Sequence, residues 1–199
     1  LDPTNHCNLK CPLCPTGIGD TSVAYGLFKL EKYKKVVDVF SKWAQTIQLF
    51  SWGEPILNKS FVEMVRYASQ TPHQIRSVTT VNLNATNDEQ IKGLLTSNLD
   101  SLHVSIDGVT QEVYEKYRVG GNLDTVFDNL KKLLAGKKLY KSSTKIIWDF
   151  IVMKQNEHQV EEAKKMAKDF GIKINIDCVR TNLKDDYLYP VDKMVDKYK

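Results

Sequence analysis

Long apolar runs are missing from this sequence. The longest are short strand-like pieces such as Ile146-Ile147-Trp148, far below the ~20 residues that a membrane-spanning helix needs. No stretch has the layout of a secretory signal peptide. Charge of one sign is scarce: 28 Lys+Arg against 24 Asp+Glu leave a formal net charge of +4. That excess is mild and spread out, so nucleic-acid binding does not follow from it. Internal repeats and low-complexity segments are absent. Cysteine is rare, with 4 in 199 residues, which excludes the small disulfide-dense frameworks of secreted domains.

What is present suits one large domain, or a domain with a tail, at roughly 150 residues per domain. With 42% hydrophobic and 26% charged residues, the chain can bury a core and is not intrinsically disordered. Three of the cysteines, Cys7, Cys11 and Cys14, sit in one run, and Cys178 lies far away. Clustered thiols in a large, cysteine-poor chain read as metal ligands in a reducing cytosol, so the expected location is cytoplasmic. Residue 1 is Leu, the cysteine run begins six residues on, and the last residues from Asp192 are still polar and helix-like. The expectation is a fragment or the ordered part of a longer chain, truncated at its N-terminus.

Strand-like and helix-like patterns alternate. Leu30, Tyr33, Val36, Val37, Phe40 and Trp43 recur at helical spacing, and Thr46 to Ser51 reads as a strand. Phe61, Val62, Val65 and Ala68 mark a second helix, and Ser77 to Asn82 the strand that follows. Thr86-Asn87-Asp88-Glu89 fits a capping box ahead of Ile91, Leu94 and Leu95. Leu102 to Ile106 is the next strand. The helix through Val126, Phe127, Leu130, Leu133 and Leu134 is expected to stop near Gly136. Lys145 to Val152 is a strand, Val160 to Phe170 a helix stopped by Gly171, and Ile172 to Val179 a last strand. Leu1 to Thr4 would be the tail of a sixth strand at the front. Such alternation implies a parallel sheet with crossover helices, either doubly wound or a partial barrel. Both place their sites at the C-terminal ends of the strands.

The sharpest chemical feature is Cys7-Asn8-Leu9-Lys10-Cys11-Pro12-Leu13-Cys14. Three thiolates in one loop suit zinc or an iron–sulfur cluster. A structural zinc ion wants four protein ligands, and His6 would be the fourth. A [4Fe–4S] cluster held by three cysteines would keep one iron open for chemistry.

Cys-x₃-Cys-x₂-Cys after a first strand resembles the signature of the radical S-adenosylmethionine (radical SAM) superfamily. Gly53-Glu54-Pro55 after the second strand resembles the family's Gly-Glu-Pro motif. Asn82 ends the third strand, and Ser105-Ile106-Asp107-Gly108 resembles its Ser-x-Asp-Gly. Tyr117-Arg118, Gly120-Gly121, Phe150-Ile151-Val152 and Asn156-Glu157-His158 are similar to the SPASM/twitch branch, whose C-terminal extension is absent from this chain.

The resemblance implies an α/β partial (βα)₆ TIM-like barrel over 1–180, with 181–199 a tail or the start of the extension. It implies a [4Fe–4S] cluster on Cys7, Cys11 and Cys14, and S-adenosylmethionine on its open iron. Reductive cleavage would give a 5′-deoxyadenosyl radical that takes hydrogen from a peptide or sugar-like substrate. Electrons would come from a flavodoxin or ferredoxin, and neither membrane nor nucleic acid is an expected partner. The alternative is a non-catalytic zinc- or iron–sulfur-binding domain that docks a partner. Gly53 would allow close backbone approach, and Glu54 would meet the SAM ammonium. Ser105 and Asp107 would reach the ribose, and Arg118 the SAM carboxylate. Asn82 would touch SAM, and Leu13 would offer its backbone to adenine where the family often has an aromatic residue. The family's Gly-x-Ile-x-Gly-x-x-Glu motif on strand five is not recognisable; Val152 and Asn156 sit where it would fall. Cys178 reads as a lone buried cysteine, and His158 as a capping or surface residue.

Overall fold

The computed structural model describes residues 1–179 and 197–198. The expected tail, 181–199, therefore lies almost wholly outside the described residues. The elements run α1 (Leu30–Phe40), β1 (Thr46–Gln48), α2 (Phe61–Ser69), β2 (Arg76–Val81), α3 (Asp88–Thr96) and β3 (Ser101–Ser105). They continue with α4 (Gln111–Tyr117), α5 (Leu123–Leu139), β4 (Lys145–Val152), α6 (Val160–Phe170) and β5 (Lys173–Cys178). The strands form one sheet in the order β1-β2-β3-β4-β5, and every neighbouring pair is parallel.

That order settles what periodicity left open. A doubly wound sheet reverses its strand order at a switch point and carries helices on both faces. Here the order never reverses, and buried residues of all six helices share one core with one face of the sheet. The fold is a partial TIM-like barrel, with helices outside and a concave face within. Strand alternation sorts the side chains: Ile146, Trp148, Phe150 and Val152 of β4 are buried toward the helices, while Ile147, Asp149 and Ile151 take the other face. Trp148 is fully buried, donates its indole N–H to Ile106 O at 2.7 Å and meets Phe127 edge-on at 6.0 Å.

Several boundaries differ from the sequence reading. Leu1–Thr4 is not a sixth strand among the described residues. The Leu1 ammonium reaches Gln48 O at 2.9 Å beside β1, but Thr4 makes an antiparallel bridge with Leu27 instead. Pro3 has no N–H for a ladder, and its carbonyl accepts from Phe28 N at 2.8 Å. The N-cap of α3 is Asn87, one residue later than expected, paired reciprocally with Gln90. An amide accepts from the backbone as well as a hydroxyl does. Gly136 does not end α5, which runs to Leu139; the glycine is buried, and a Cβ there would press on Leu95 Cδ1 at 2.8 Å. It is a close-packing position between helices. Helix α1 stops at Phe40, and Trp43 is 74% exposed. Gly171 does end α6, with φ 68°.

Candidate functional site

The cysteine segment crosses the C-terminal ends of the strands and is pinned at several points. Gly53 sits at φ 89°, and a Cβ on it would lie 2.5 Å from Thr4 O and 2.8 Å from His6 O. Only glycine permits both that backbone angle and that approach. The next amide, Glu54 N, donates to His6 O at 2.7 Å. Inside the loop, Cys14 N donates to Cys11 O at 3.1 Å and Ile18 N to Cys14 O at 2.9 Å. Gly17 lies directly on the Cys11 backbone, where any Cβ would clash. Its place was not read from the sequence, because nothing local marks a contact six residues back.

Cys7, Cys11 and Cys14 line a cavity of ≈ 210 Å³ together with Leu13, Gly53, Glu54, Asn82, Ser105 and Arg118. So most of the residues singled out from sequence meet at one place. Cys7, Cys11 and Cys14 are free thiols. Burial pushes the Cys7 thiol up to about 11 and raises that of Cys11, where the Arg118 charge opposes the rise. Binding a metal centre would expel those protons.

Glu54 is 2% exposed. Its Oε2 accepts from Asn82 N at 2.8 Å, while Oε1 has no hydrogen-bond partner. Burial raises its pKa to about 8, against the opposing pull of the Asn82 and Ile56 amides and Arg118. The Ile56 amide acts through its nearness and makes no well-formed bond to Oε1. A buried carboxylate oxygen left open beside three thiols is a ready acceptor for a cationic ligand. Asn82, 4% exposed, turns its side-chain N–H toward Asn8 Oδ1 at 3.0 Å and Cys7 Sγ at 3.9 Å.

Two expected contacts are placed differently. Asp107 is fully buried and both carboxylate oxygens are engaged. Oδ1 accepts from Ile151 N at 2.7 Å, and Oδ2 takes Arg118 Nε and Nη2 at 2.6 Å each. It does not line the cavity and holds Arg118 at its edge. Burial raises the Asp107 pKa, with Arg118 and the Ile151 amide pulling against it. Burial also opposes the Arg118 charge, but Asp107 and Cys11 outweigh it and hold the guanidinium ionised. Arg118 Nη1 reaches Cys11 Sγ at 3.9 Å. Val152 is buried in the helix-side core, and Ile151 is the residue that lines the cavity. A shift of one position on a strand changes the face.

Asn156 is a structural clamp. It is fully buried, donates to Asp107 O and Ile151 O at 2.9 Å each, and accepts from Met153 N at 2.7 Å. His158 is exposed and Cys178 is buried in the core. Phe50, Trp52, Thr80 and Tyr117 also line the cavity. Strand alternation from Asn82 and Ser105 was the signal that marks Thr80, two residues back on the same face.

The sequence matches the Radical SAM superfamily over residues 1–167, and the chain belongs to that family of enzymes. It is 27% identical over 169 residues to the AdoMet-dependent heme synthase of Methanosarcina barkeri, covering 84% of this chain and 46% of the relative. It is 22% identical over 174 residues to a GTP 3′,8-cyclase of Clostridium botulinum, covering 86% of this chain and 52% of the relative. The chain thus spans about half the length of these curated relatives. Among solved structures, Streptococcus suis SuiB bound to S-adenosylmethionine superposes with TM-score 0.77 at 12% identity, over 95% of this chain and 42% of that one. The native anSMEcpe structure with bound AdoMet superposes with TM-score 0.69 at 19% identity, over 94% and 53%. These likenesses establish the fold. No helix among the described residues is long and apolar enough to cross a membrane.

Proposed function

We propose that this chain is the catalytic core of a radical SAM enzyme acting on an unactivated C–H bond. The observation that carries the reading is Glu54: a buried carboxylate with one oxygen unpartnered, in the wall of the cavity that three cysteines share.

The residues fit the implied groups. Cys7, Cys11 and Cys14 would hold three irons of a [4Fe–4S] cluster, and Glu54 would receive the ammonium of S-adenosylmethionine. When bound, these groups supply a 5′-deoxyadenosyl radical by one-electron reductive cleavage. The chain's own residues bind, orient and exclude water. Gly53 and Gly17 let the backbone close around the cysteines. Ser105 offers a hydroxyl toward the ribose. Leu13 and Ile151 give the cavity apolar wall, and Leu13 presents its backbone to adenine. Asp107 and Ile151 N orient Arg118, which keeps a fixed positive charge beside Cys11 and would meet the carboxylate of S-adenosylmethionine. That charge favours the thiolate form that ligation needs. Val152 supports this wall from the core side.

The reading extends to a peptide or sugar-like substrate, to an electron donor of the flavodoxin or ferredoxin kind, and to a cytoplasmic setting. The core would span 1–180, with 181–199 leading into a C-terminal extension. A zinc module fits the geometry less well. His6 is exposed against Tyr25, with ring centroids 5.5 Å apart. Among the described residues, no three His, Cys, Asp or Glu groups converge tightly enough to grip a single ion. A four-iron cluster needs its ligands spread over a wider centre.

The test is anaerobic reconstitution with iron and sulfide, reduction with dithionite and quantification of 5′-deoxyadenosine after SAM is added. Product from the wild type and none from a Cys7/Cys11/Cys14→Ala variant supports the reading. A colourless protein with tightly bound zinc overturns it.

A further inference from the structure

The concave face of the sheet carries polar side chains that cofactor binding leaves without a task. His103 on β3 reaches diagonally to Asp149 on β4, with Nδ1 2.8 Å from Oδ2 and 3.1 Å from Oδ1. Asn175 on β5 donates its Nδ2 to Asp149 Oδ1 at 2.9 Å. In register, Asp149 lies between Ser105 and Asn175, and His103 pairs with Thr80. Thr80 and Ser105 line the cavity that holds the three cysteines. His103 sits one same-face step below Ser105, ~7 Å along the strand. The His–Asp–Asn row therefore lies on the same concave face as the cavity, next to the lining residues Thr80 and Ser105.

The chemistry of this row is constrained. An ionised carboxylate only accepts, so Nδ1 carries the hydrogen in its contact with Asp149. That contact leaves Nε2 as the ring nitrogen turned away from Asp149, the orientation that a carboxylate behind an imidazole enforces. Asn175 holds Asp149 from the other side and stops it from swinging away. Neither His103 Nε2 nor the Thr80 hydroxyl has a hydrogen-bond partner among the described residues.

A ring nitrogen beside a hydroxyl that both gives and takes a hydrogen bond suits a pair of neighbouring hydroxyls, each of which also gives and takes. Asp149 is already held by His103 and Asn175, so a ligand meets His103 Nε2 and the Thr80 hydroxyl first. A carboxylate or phosphate would meet the carboxylate of Asp149 directly behind the ring. We infer that His103 Nε2 and Thr80 Oγ1 form the substrate contact for vicinal hydroxyls on a sugar-like ring, seated below the cysteine cavity. This rests on the radical SAM reading for the chemistry that follows binding, and not for the contact itself.

The experiment uses the cluster-reconstituted protein with SAM bound. Diethyl pyrocarbonate carbethoxylates the free lone pair of a neutral imidazole, and peptide mass spectrometry reads each histidine. Exposed His73 is the internal comparator. The probe is myo-inositol. It should slow labelling of His103 severalfold and leave His73 unchanged. Thr80→Val should raise the probe concentration needed by about tenfold, the loss of one hydrogen bond. No protection by myo-inositol, or equal protection by acetyl-trialanine amide, overturns the inference in favour of no site or of a peptide site. The 5′-deoxyadenosine yield of the same wild-type sample is read in parallel. Protection without that product sinks the radical reading and leaves the hydroxyl site intact; product without protection does the reverse.

Discussion

Arg118 closes on Asp107 through two nitrogens, Nε and Nη2, each 2.6 Å from Oδ2, while Asp107 Oδ1 takes the Ile151 amide at 2.7 Å. The pair ties the segment after α4 to the ends of β3 and β4, beside the cysteines. Breaking it from one side leaves the other charge buried and uncompensated, which costs about 3–5 kcal/mol. Asp107→Asn and Arg118→Gln should each lower the unfolding free energy, read from urea titration, by that amount. The double variant should lose clearly less than their sum, because the two costs share one interaction. Additive losses would show that the pair is not a unit.

Glu54 gives a prediction with a sign. Burial raises its pKa from an ordinary 4.5 to about 8, so the unliganded fold favours the protonated form. The stability tied to that proton is complete below about pH 4.5 and is lost as pH rises through 8. Glu54→Gln has no such proton. Between those pH values its urea midpoint should stay flatter than that of the wild type, which should fall. The same variant should bind SAM about tenfold more weakly or worse, by equilibrium dialysis, as one charge-assisted bond becomes neutral.

Gly53→Ala should act at a distance from the thiols. Its Cβ would meet Thr4 O at 2.5 Å on a backbone at φ 89°. The strain of such a backbone angle in a non-glycine residue is about 1–3 kcal/mol. The segment carrying Cys7 must move to relieve it. Iron content after reconstitution should fall below wild type while far-ultraviolet circular dichroism keeps its helical signal. Full iron loading would show that the crossing is not needed.

Cysteine removal should divide the thiols into two groups. Cys7→Ala, Cys11→Ala or Cys14→Ala should each abolish the brown chromophore and 5′-deoxyadenosine formation. Cys178→Ala should keep both and lose only about 1 kcal/mol of stability, since Cys178 is a buried core residue outside the cavity lining. Loss of the chromophore in Cys178→Ala would bring that thiol into the site.

Much of this fold was readable from residue order. The alternating 3.6 and 2.0 periodicities located most of the helices and the five strands of the sheet. What escaped were features set by contact. Helix α4 has only 7 residues, too few to show a periodic face. Gly136 looks like a helix stop until Leu95 is packed against it. Leu1–Thr4 reads as a strand until Leu27 and Phe28 claim its backbone.

For the site, the sequence by itself determined which chemical groups are available. Three thiols at close spacing, Gly-Glu-Pro, Asn82 and Ser-x-Asp-Gly each fall near the end of a strand-like run, and parallel topology brings strand ends together. Only the tertiary structure decided how those groups are shared out. Asp107 is taken by Arg118 and Ile151, Val152 yields its place to Ile151, and Glu54 keeps a buried open oxygen. His103, Asp149 and Asn175 lie far apart in the chain and meet only because the register of three parallel strands places them side by side. The reason is physical: local spacing sets which face a side chain takes, whereas hydrogen-bond partners are chosen across strands, by register and burial, and no local pattern encodes that choice.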